Sequence, residues 1–204
     1  MYYSQQDEDK ILFEKYLNYK NGFFIELGAM DGVTYSNTLF FEEKLNWKGI
    51  LIEPTNQYNQ LIINRPNCHN FNYAISDING IVEFLGTHAL GGITKTMDEK
   101  HRVGWDLDNS GRPYTVKSIR LSDLISNLDL TKVDLFSIDV EGGELEVLKT
   151  FDWNIPVYII LIEMTSYYEE KNELCREIMR KNNLEFDMII GCNEVWINKN
   201  NEKK

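Results

Sequence analysis

Four short apolar runs punctuate the chain: Phe23-Phe24-Ile25-Glu26-Leu27, Gly49-Ile50-Leu51-Ile52-Glu53, Leu135-Phe136-Ser137-Ile138-Asp139 and Ile159-Ile160-Leu161-Ile162-Glu163. None alternates apolar with polar positions, so each reads as a strand buried on both faces, as a helix-covered parallel sheet requires. Each also carries a carboxylate at or near its C-terminal end. In open sheets of this kind the ligand crevice lies at the carboxyl ends of the strands. Desolvated acids there are costly unless they hold hydroxyls, amines or a cation. The four acids therefore read as the rim of a binding site.

Between these runs the spacing turns helical. Ile11, Leu12, Tyr16 and Leu17 predict a helix over residues 7–19, closed by Asn21-Gly22. Residues 36–45 predict a second helix with Ser36 or Asn37 as N-cap, and residues 54–63 a third. Residues 67–73 read as a less apolar strand and 81–85 as a short edge strand. From Gly86 to Pro113 no period is sustained, and the segment's Trp105, His88, His101 and glycines predict a lid or substrate loop. Residues 114–119 read as a strand, 121–128 and 142–151 as helices, and 169–182 as a final helix. Residues 186–190 and 194–197 form a hairpin across Gly191, and residues 198–204 a polar tail. The alternation predicts one α/β domain over residues 1–204: a mostly parallel seven-stranded sheet, helices on both faces, and an antiparallel C-terminal hairpin.

The 204 residues are 43% hydrophobic and carry a formal net charge of −11, enough apolar material for one core. That charge argues against nucleic acid as a partner, since phosphate contacts need clustered Lys and Arg. Cys68, Cys175 and Cys192 lack the spacing of a zinc site or a disulfide framework. No apolar stretch is long enough to span a bilayer, and the N-terminus has no leader pattern, so a cytoplasmic protein is expected.

The loop Glu26-Leu27-Gly28-Ala29-Met30-Asp31-Gly32 follows the first strand, where glycine lets a ligand approach the backbone. The dinucleotide-binding GxGxxG spacing fails at Met30 and Val33, which disfavours an NAD-linked oxidoreductase. Glu53, at the end of the second strand, stands where a carboxylate accepts both hydroxyls of a ribose. Further motifs follow in order: Gly32-Val33-Thr34-Tyr35-Ser36-Asn37-Thr38 with Phe41-Glu42, then Gly49 to Pro54, then Ala74-Ile75-Ser76-Asp77. Last comes Ile138-Asp139-Val140-Glu141-Gly142-Gly143-Glu144-Leu145-Glu146. Together, from about Phe23 to Glu163, they resemble the FkbM family of S-adenosylmethionine (SAM)-dependent methyltransferases.

That resemblance implies a Rossmann-like SAM methyltransferase fold and methyl transfer to a hydroxyl of a sugar, glycan or small metabolite. The rival reading is a SAM-fold binding or scaffolding protein without turnover. By resemblance Glu26 and Gly28 face the methionine part of SAM, Glu53 the ribose, and Ala74, Ser76 and Asp77 the adenine edge. Asp31 and Gly32 belong to the same loop, although Asp31 also reads as a turn residue. Ser36 and Asn37 either hold the SAM carboxylate or cap a helix. Asp139 marks the meeting point of donor and acceptor and is the first choice of base, with His88 and His101 as loop alternatives. Asp139, Glu141 and Glu163 are also candidate ligands of a divalent metal; the alternative is that Asp139 and Glu163 bind the SAM ammonium or a polyol.

Overall fold

In a computed structural model describing residues 1–201, the chain is laid out as α1 (Glu8–Lys15), β1 (Phe23–Leu27), α2 (Leu39–Leu45), β2 (Lys48–Ile52), α3 (Tyr58–Asn64), β3 (His69–Phe71), β4 (Ala74–Ile75), β5 (Gly80–Leu85) and β6 (Gly92–Ile93). There follow α4 (Glu99–Gly104), α5 (Leu107–Ser110), β7 (Tyr114–Ile119), α6 (Leu121–Ile125), β8 (Val133–Ile138), α7 (Glu144–Thr150), β9 (Val157–Glu163), α8 (Glu169–Lys181), β10 (Glu185–Ile190) and β11 (Asn193–Ile197).

Seven strands form the main sheet in the order β10-β11-β9-β8-β1-β2-β3. Five run parallel from β3 to β9, and β11 pairs antiparallel with both β9 and β10. The apolar runs serve both faces because successive side chains on a strand point opposite ways. Ile25, Leu27, Ile50, Ile52, Phe136, Ile138, Ile160 and Ile162 meet Leu145 and Leu148 of α7 and Met179 of α8. On the other face Phe24, Leu51, Leu135, Ile159 and Leu161 meet Leu12 of α1, Phe40 and Phe41 of α2 and Leu61 of α3. The expected seven-stranded α/β architecture with helices on both faces and a C-terminal hairpin is thus observed.

Several boundaries differ from the pattern-based expectation. The first helix is shorter than 7–19: Asp7 already sits in a left-handed conformation (φ 64°), and the helix ends at Tyr16. The second begins at Leu39, with Ser36 outside it, yet the Ser36 hydroxyl still accepts the amides of Thr38 and Leu39 (3.2 and 3.1 Å). The strand expected over 67–73 is shortened to His69–Phe71, and Asn72, between it and the first strand of the second sheet, donates its side-chain amide to the carbonyls of Glu53 and Thr55. Of the polar tail, Asn198 is buried, residues 199–201 form one helical turn, and residues 202–204 lie outside the described residues.

The largest difference is an insertion. β4, β7, β5 and β6 form a separate four-stranded sheet in that order, with a small core of Ala74, Phe84, Ile93 and Val116. β5 is therefore an interior strand, paired antiparallel with β7 and β6, and not the edge strand expected. Residues 86–113 are not one irregular loop either, since they contain a helical turn at His88–Leu90, then β6, α4 and α5. Elements of two to six residues are too short to show a period, which is why the pattern hid them.

Candidate active site

The carboxyl ends of β1, β2, β8 and β9 open into a cavity of about 320 Å³. The insertion supplies one wall through Ala74, Ile75, Phe84 and Ile93; Gln5, Gln6 and Glu8 with Cys192 and Asn193 supply another. All four strand-end acids, Glu26, Glu53, Asp139 and Glu163, line it, joined by Glu8 and Glu141, and among the described residues its wall holds no lysine or arginine. The reason the strand ends can meet so closely is Gly28. At φ +77° it lies where an added Cβ would stand 2.0 Å from the Asp139 carbonyl oxygen, so only glycine fits between β1 and β8.

Glu26 is 4% exposed and tightly held. It accepts the Asn37 amide (2.7 Å), the Ser36 hydroxyl (3.0 Å) and the Thr38 hydroxyl, and Arg65 Nη1 stands 3.9 Å away. Burial raises its pKa, while Arg65 and these donors pull it back. The carboxylate thus latches residues 36–38 to β1, and the Asn37 side chain extends the latch by donating to Ser137 Oγ (3.0 Å). Ser36 and Asn37 also face the cavity. Arg65, fully buried at 0% exposure, binds Glu42, the Gly32 carbonyl and the Ser36 and Thr38 hydroxyls. It carried no signal in the sequence, because its partners are 23 to 33 residues distant.

Asp31 and Gly32 are not among the lining residues. Asp31 accepts the amides of Val33 and Thr34 (2.9 and 2.7 Å) and the Thr34 hydroxyl, a turn-forming arrangement that lowers its pKa against burial. Gly32 packs on Leu61 and Arg65. Glu53 joins two loops by accepting the Met30 amide at 3.0 Å and the Thr55 amide at 2.8 Å. Burial raises its pKa and those amides lower it; a carboxylate has lone pairs left for further donors. Ala74 faces the cavity, whereas Ser76 and Asp77 do not line it, Ser76 donating to Asp77 instead (3.2 Å).

Asp139, Glu141 and Glu163 converge, with one carboxylate oxygen from each lying within 4.8 Å of the others. Glu141 adopts φ 54°, a strained conformation for a residue with a side chain, and the turn is held by Glu144, which accepts the Val140 and Gly142 amides (both 3.2 Å). Asp139 is open to the cleft but surrounded by protein on its other sides; burial and then the charges of Glu144, Glu8 and Glu26 push its pKa up to about 7. Burial first, then the neighbouring acids, raise Glu141 and Glu163 as well.

The two loop histidines diverge. His88 is exposed and lines the cavity. His101 is 1% exposed on α4, outside the cavity wall, its ring between Tyr167 and Tyr168 and its Nε2 3.4 Å from Glu141 Oε2. Tyr167 and Tyr168 are not among the lining residues; both rings pack on His101, and Tyr168 also packs on Gly142. Gln5, Gln6, Glu8 and Asn193 join the wall without any local motif to announce them.

A doubly wound α/β sheet with β11 reversed beside β9, and a glycine turn between two strand-end acids, defines a nucleoside-binding type of domain. The family model for the methyltransferase FkbM domain matches residues 26–186. The chain belongs to this family of SAM-dependent methyltransferases. Similar solved structures include the pyocyanin biosynthetic protein PhzM, at 8% identity over 95% of this chain, with a TM-score of 0.45. TrmK of M. capricolum in complex with S-adenosyl-homocysteine is 9% identical over the whole of this chain and 72% of its own, with a TM-score of 0.46. Fibrillarin of Aeropyrum pernix with natively bound S-adenosyl-L-methionine is 11% identical over 88% of this chain, with a TM-score of 0.44. The chain spans 54% of PhzM and 66% of that fibrillarin. No curated protein matches it.

Proposed function

We propose that the protein transfers a methyl group from SAM to a hydroxyl of a neutral small molecule or carbohydrate. The observation that carries this reading is the convergence of Gly28, Glu53 and Asp139 on one cavity at the ends of three adjacent strands. In it Glu53 accepts the ribose hydroxyls, Ala74 and Ile75 lie along the adenine, and Gly28 admits the methionine part against the backbone. Asp139 is placed to hold the acceptor hydroxyl and take its proton. The Ser36 and Asn37 donors already serve Glu26, so their part in binding is to fix that latch, with any contact to SAM secondary. Six lining acids without a lysine or arginine oppose an anionic acceptor, which favours neutral polyols over phosphorylated sugars.

Catalysis in such a site rests chiefly on holding sulfonium, methyl and oxygen in line. The test is a thermal-shift titration with SAM, its demethylated product S-adenosylhomocysteine (SAH) and NAD, followed by an acceptor screen with labelled SAM. SAM and SAH are expected to raise the melting temperature. Glu53→Ala should lose roughly 1.5–3 kcal/mol of SAM affinity with the fold intact. Asp139→Asn should keep SAM binding and lose turnover. Stabilisation by NAD alone would refute the reading.

A further inference from the structure

Two observations near the acid trio remain unexplained by nucleoside binding. First, three carboxylates from two strand ends and a strained turn each bring one oxygen within 4.8 Å of the others, with no lysine or arginine in the cavity wall among the described residues. Lys171, beside the same turn, spends its ammonium on the carbonyls of Thr96 and Gly142. Second, His101 is 1% exposed, and neither ring nitrogen has a hydrogen-bond partner, although Nε2 points at Glu141 Oε2 from 3.4 Å. A buried polar group left unpaired calls for an account.

We infer that Asp139, Glu141 and Glu163 form a divalent-cation site at the acceptor end of the cavity, with His101 as the group that positions Glu141. All-oxygen donors select hard cations such as Mg²⁺, Mn²⁺ or Ca²⁺. Metal–oxygen bonds of about 2.0–2.6 Å place ligands on opposite sides of such an ion up to about 4–5 Å apart. A spread of up to 4.8 Å is therefore within what a Ca²⁺-sized ion spans, and a smaller ion would draw the three side chains together by a few tenths of an ångström. His101 lies outside the cavity wall with Nε2 3.4 Å from Glu141, near enough for a small ring rotation to bring an N–H onto the carboxylate. Ligating groups are commonly oriented by such outer hydrogen bonds. With three protein oxygens, the remaining positions face the cleft and are open to water or to acceptor hydroxyls. Glu141's strained φ of 54° and the Glu144 brace on its turn hold the middle ligand in place.

The test is a Mn²⁺ titration of the full chain followed by electron paramagnetic resonance, with and without saturating SAH, each variant checked for folding by circular dichroism. One Mn²⁺ site per chain is expected, retained with SAH bound. Glu141→Gln and Glu163→Gln should each weaken it at least about tenfold, His101→Gln by about 10- to 100-fold, and the distant exposed Asp129→Asn not at all. A structural role for His101 alone would lower the melting temperature of His101→Gln without moving its Mn²⁺ affinity, and would remove His101 from the site. Absence of Mn²⁺ binding at millimolar concentration, unchanged affinity in the two folded Gln variants, or displacement of Mn²⁺ by SAH would overturn the proposal. The last result would assign the trio to the ammonium of the nucleoside ligand. Because this readout is independent of turnover, its failure leaves the methyl-transfer reading standing, and failure of SAH binding leaves the cation site standing.

Discussion

At the scale of single residues, the site depends on acids whose neighbours decide what they are free to do. Glu26 illustrates a strand-end carboxylate absorbed by structure, since Ser36, Asn37, Thr38 and Arg65 surround it. Asp139, by contrast, is hemmed in by other acids and left facing the cleft. Gly28 is the residue on which both depend. Gly28→Ala should be strongly destabilising, by several kcal/mol, because the added carbon meets the Asp139 carbonyl at 2.0 Å and the backbone is held at φ +77°. Denaturant unfolding of the variant measures it; a loss below about 1 kcal/mol would mean that β1 and β8 separate more easily than their packing indicates. Sequence reasoning reached Glu26, Glu53 and Asp139 because each lies at or near the end of an apolar run, and Gly28 because a glycine follows the first of those runs. It could not reach Arg65 or Asn193, whose roles arise from partners far away along the chain.

At the scale of elements, the buried strands were legible and the insertion was not. Runs such as residues 157–162, buried at every position, declare themselves by lacking charged residues. β4 and β6 are two residues each, below any detectable alternation, so the second sheet emerges only in three dimensions. That sheet and α4 now give the residues 86–113 a concrete role as a cavity wall, with Trp105 half exposed at its rim and His101 anchored beneath. The segment's attachment rests on few buried apolar side chains, Leu85, Met97 and Leu107 being its own small cluster. It should open more readily than the main sheet. Hydrogen exchange is expected to show faster exchange there than in β8 and β9, slowed when SAH is bound. Equal protection in both states would make it a fixed wall.

At the scale of the whole molecule, the −11 net charge is concentrated functionally as well as globally, for the cavity gathers six of the acids. Glu163 has a folded pKa raised to about 10 from 4.5, and Glu141 to about 9. A raised folded pKa means that the native state binds more protons than the unfolded one, so the contribution is complete below about pH 4 and is lost as pH rises toward those values. The unliganded protein should therefore melt at lower temperature at pH 9 than at pH 5. Glu163→Gln should flatten that slope and gain about 1–2 kcal/mol at pH 8, a figure reduced for the screening that cleft water provides. A melting series across pH on both proteins checks the sign. A variant less stable than the parent at pH 8 would show that Glu163 is compensated without ligand.

The bond between Asn193 and Glu8 (2.9 Å) spans 185 positions of sequence and joins two residues of the cavity wall. Chains are synthesised from the N-terminus at about 5–20 residues per second. The strands that carry Glu26 and Glu53 consequently leave the ribosome well before β11 exists to pair with β9. During that interval residues 5–8 have nothing to close against, and a nucleoside would find one half of its berth. That wall of the cavity is therefore completed only once β11 has been made and has paired with β9.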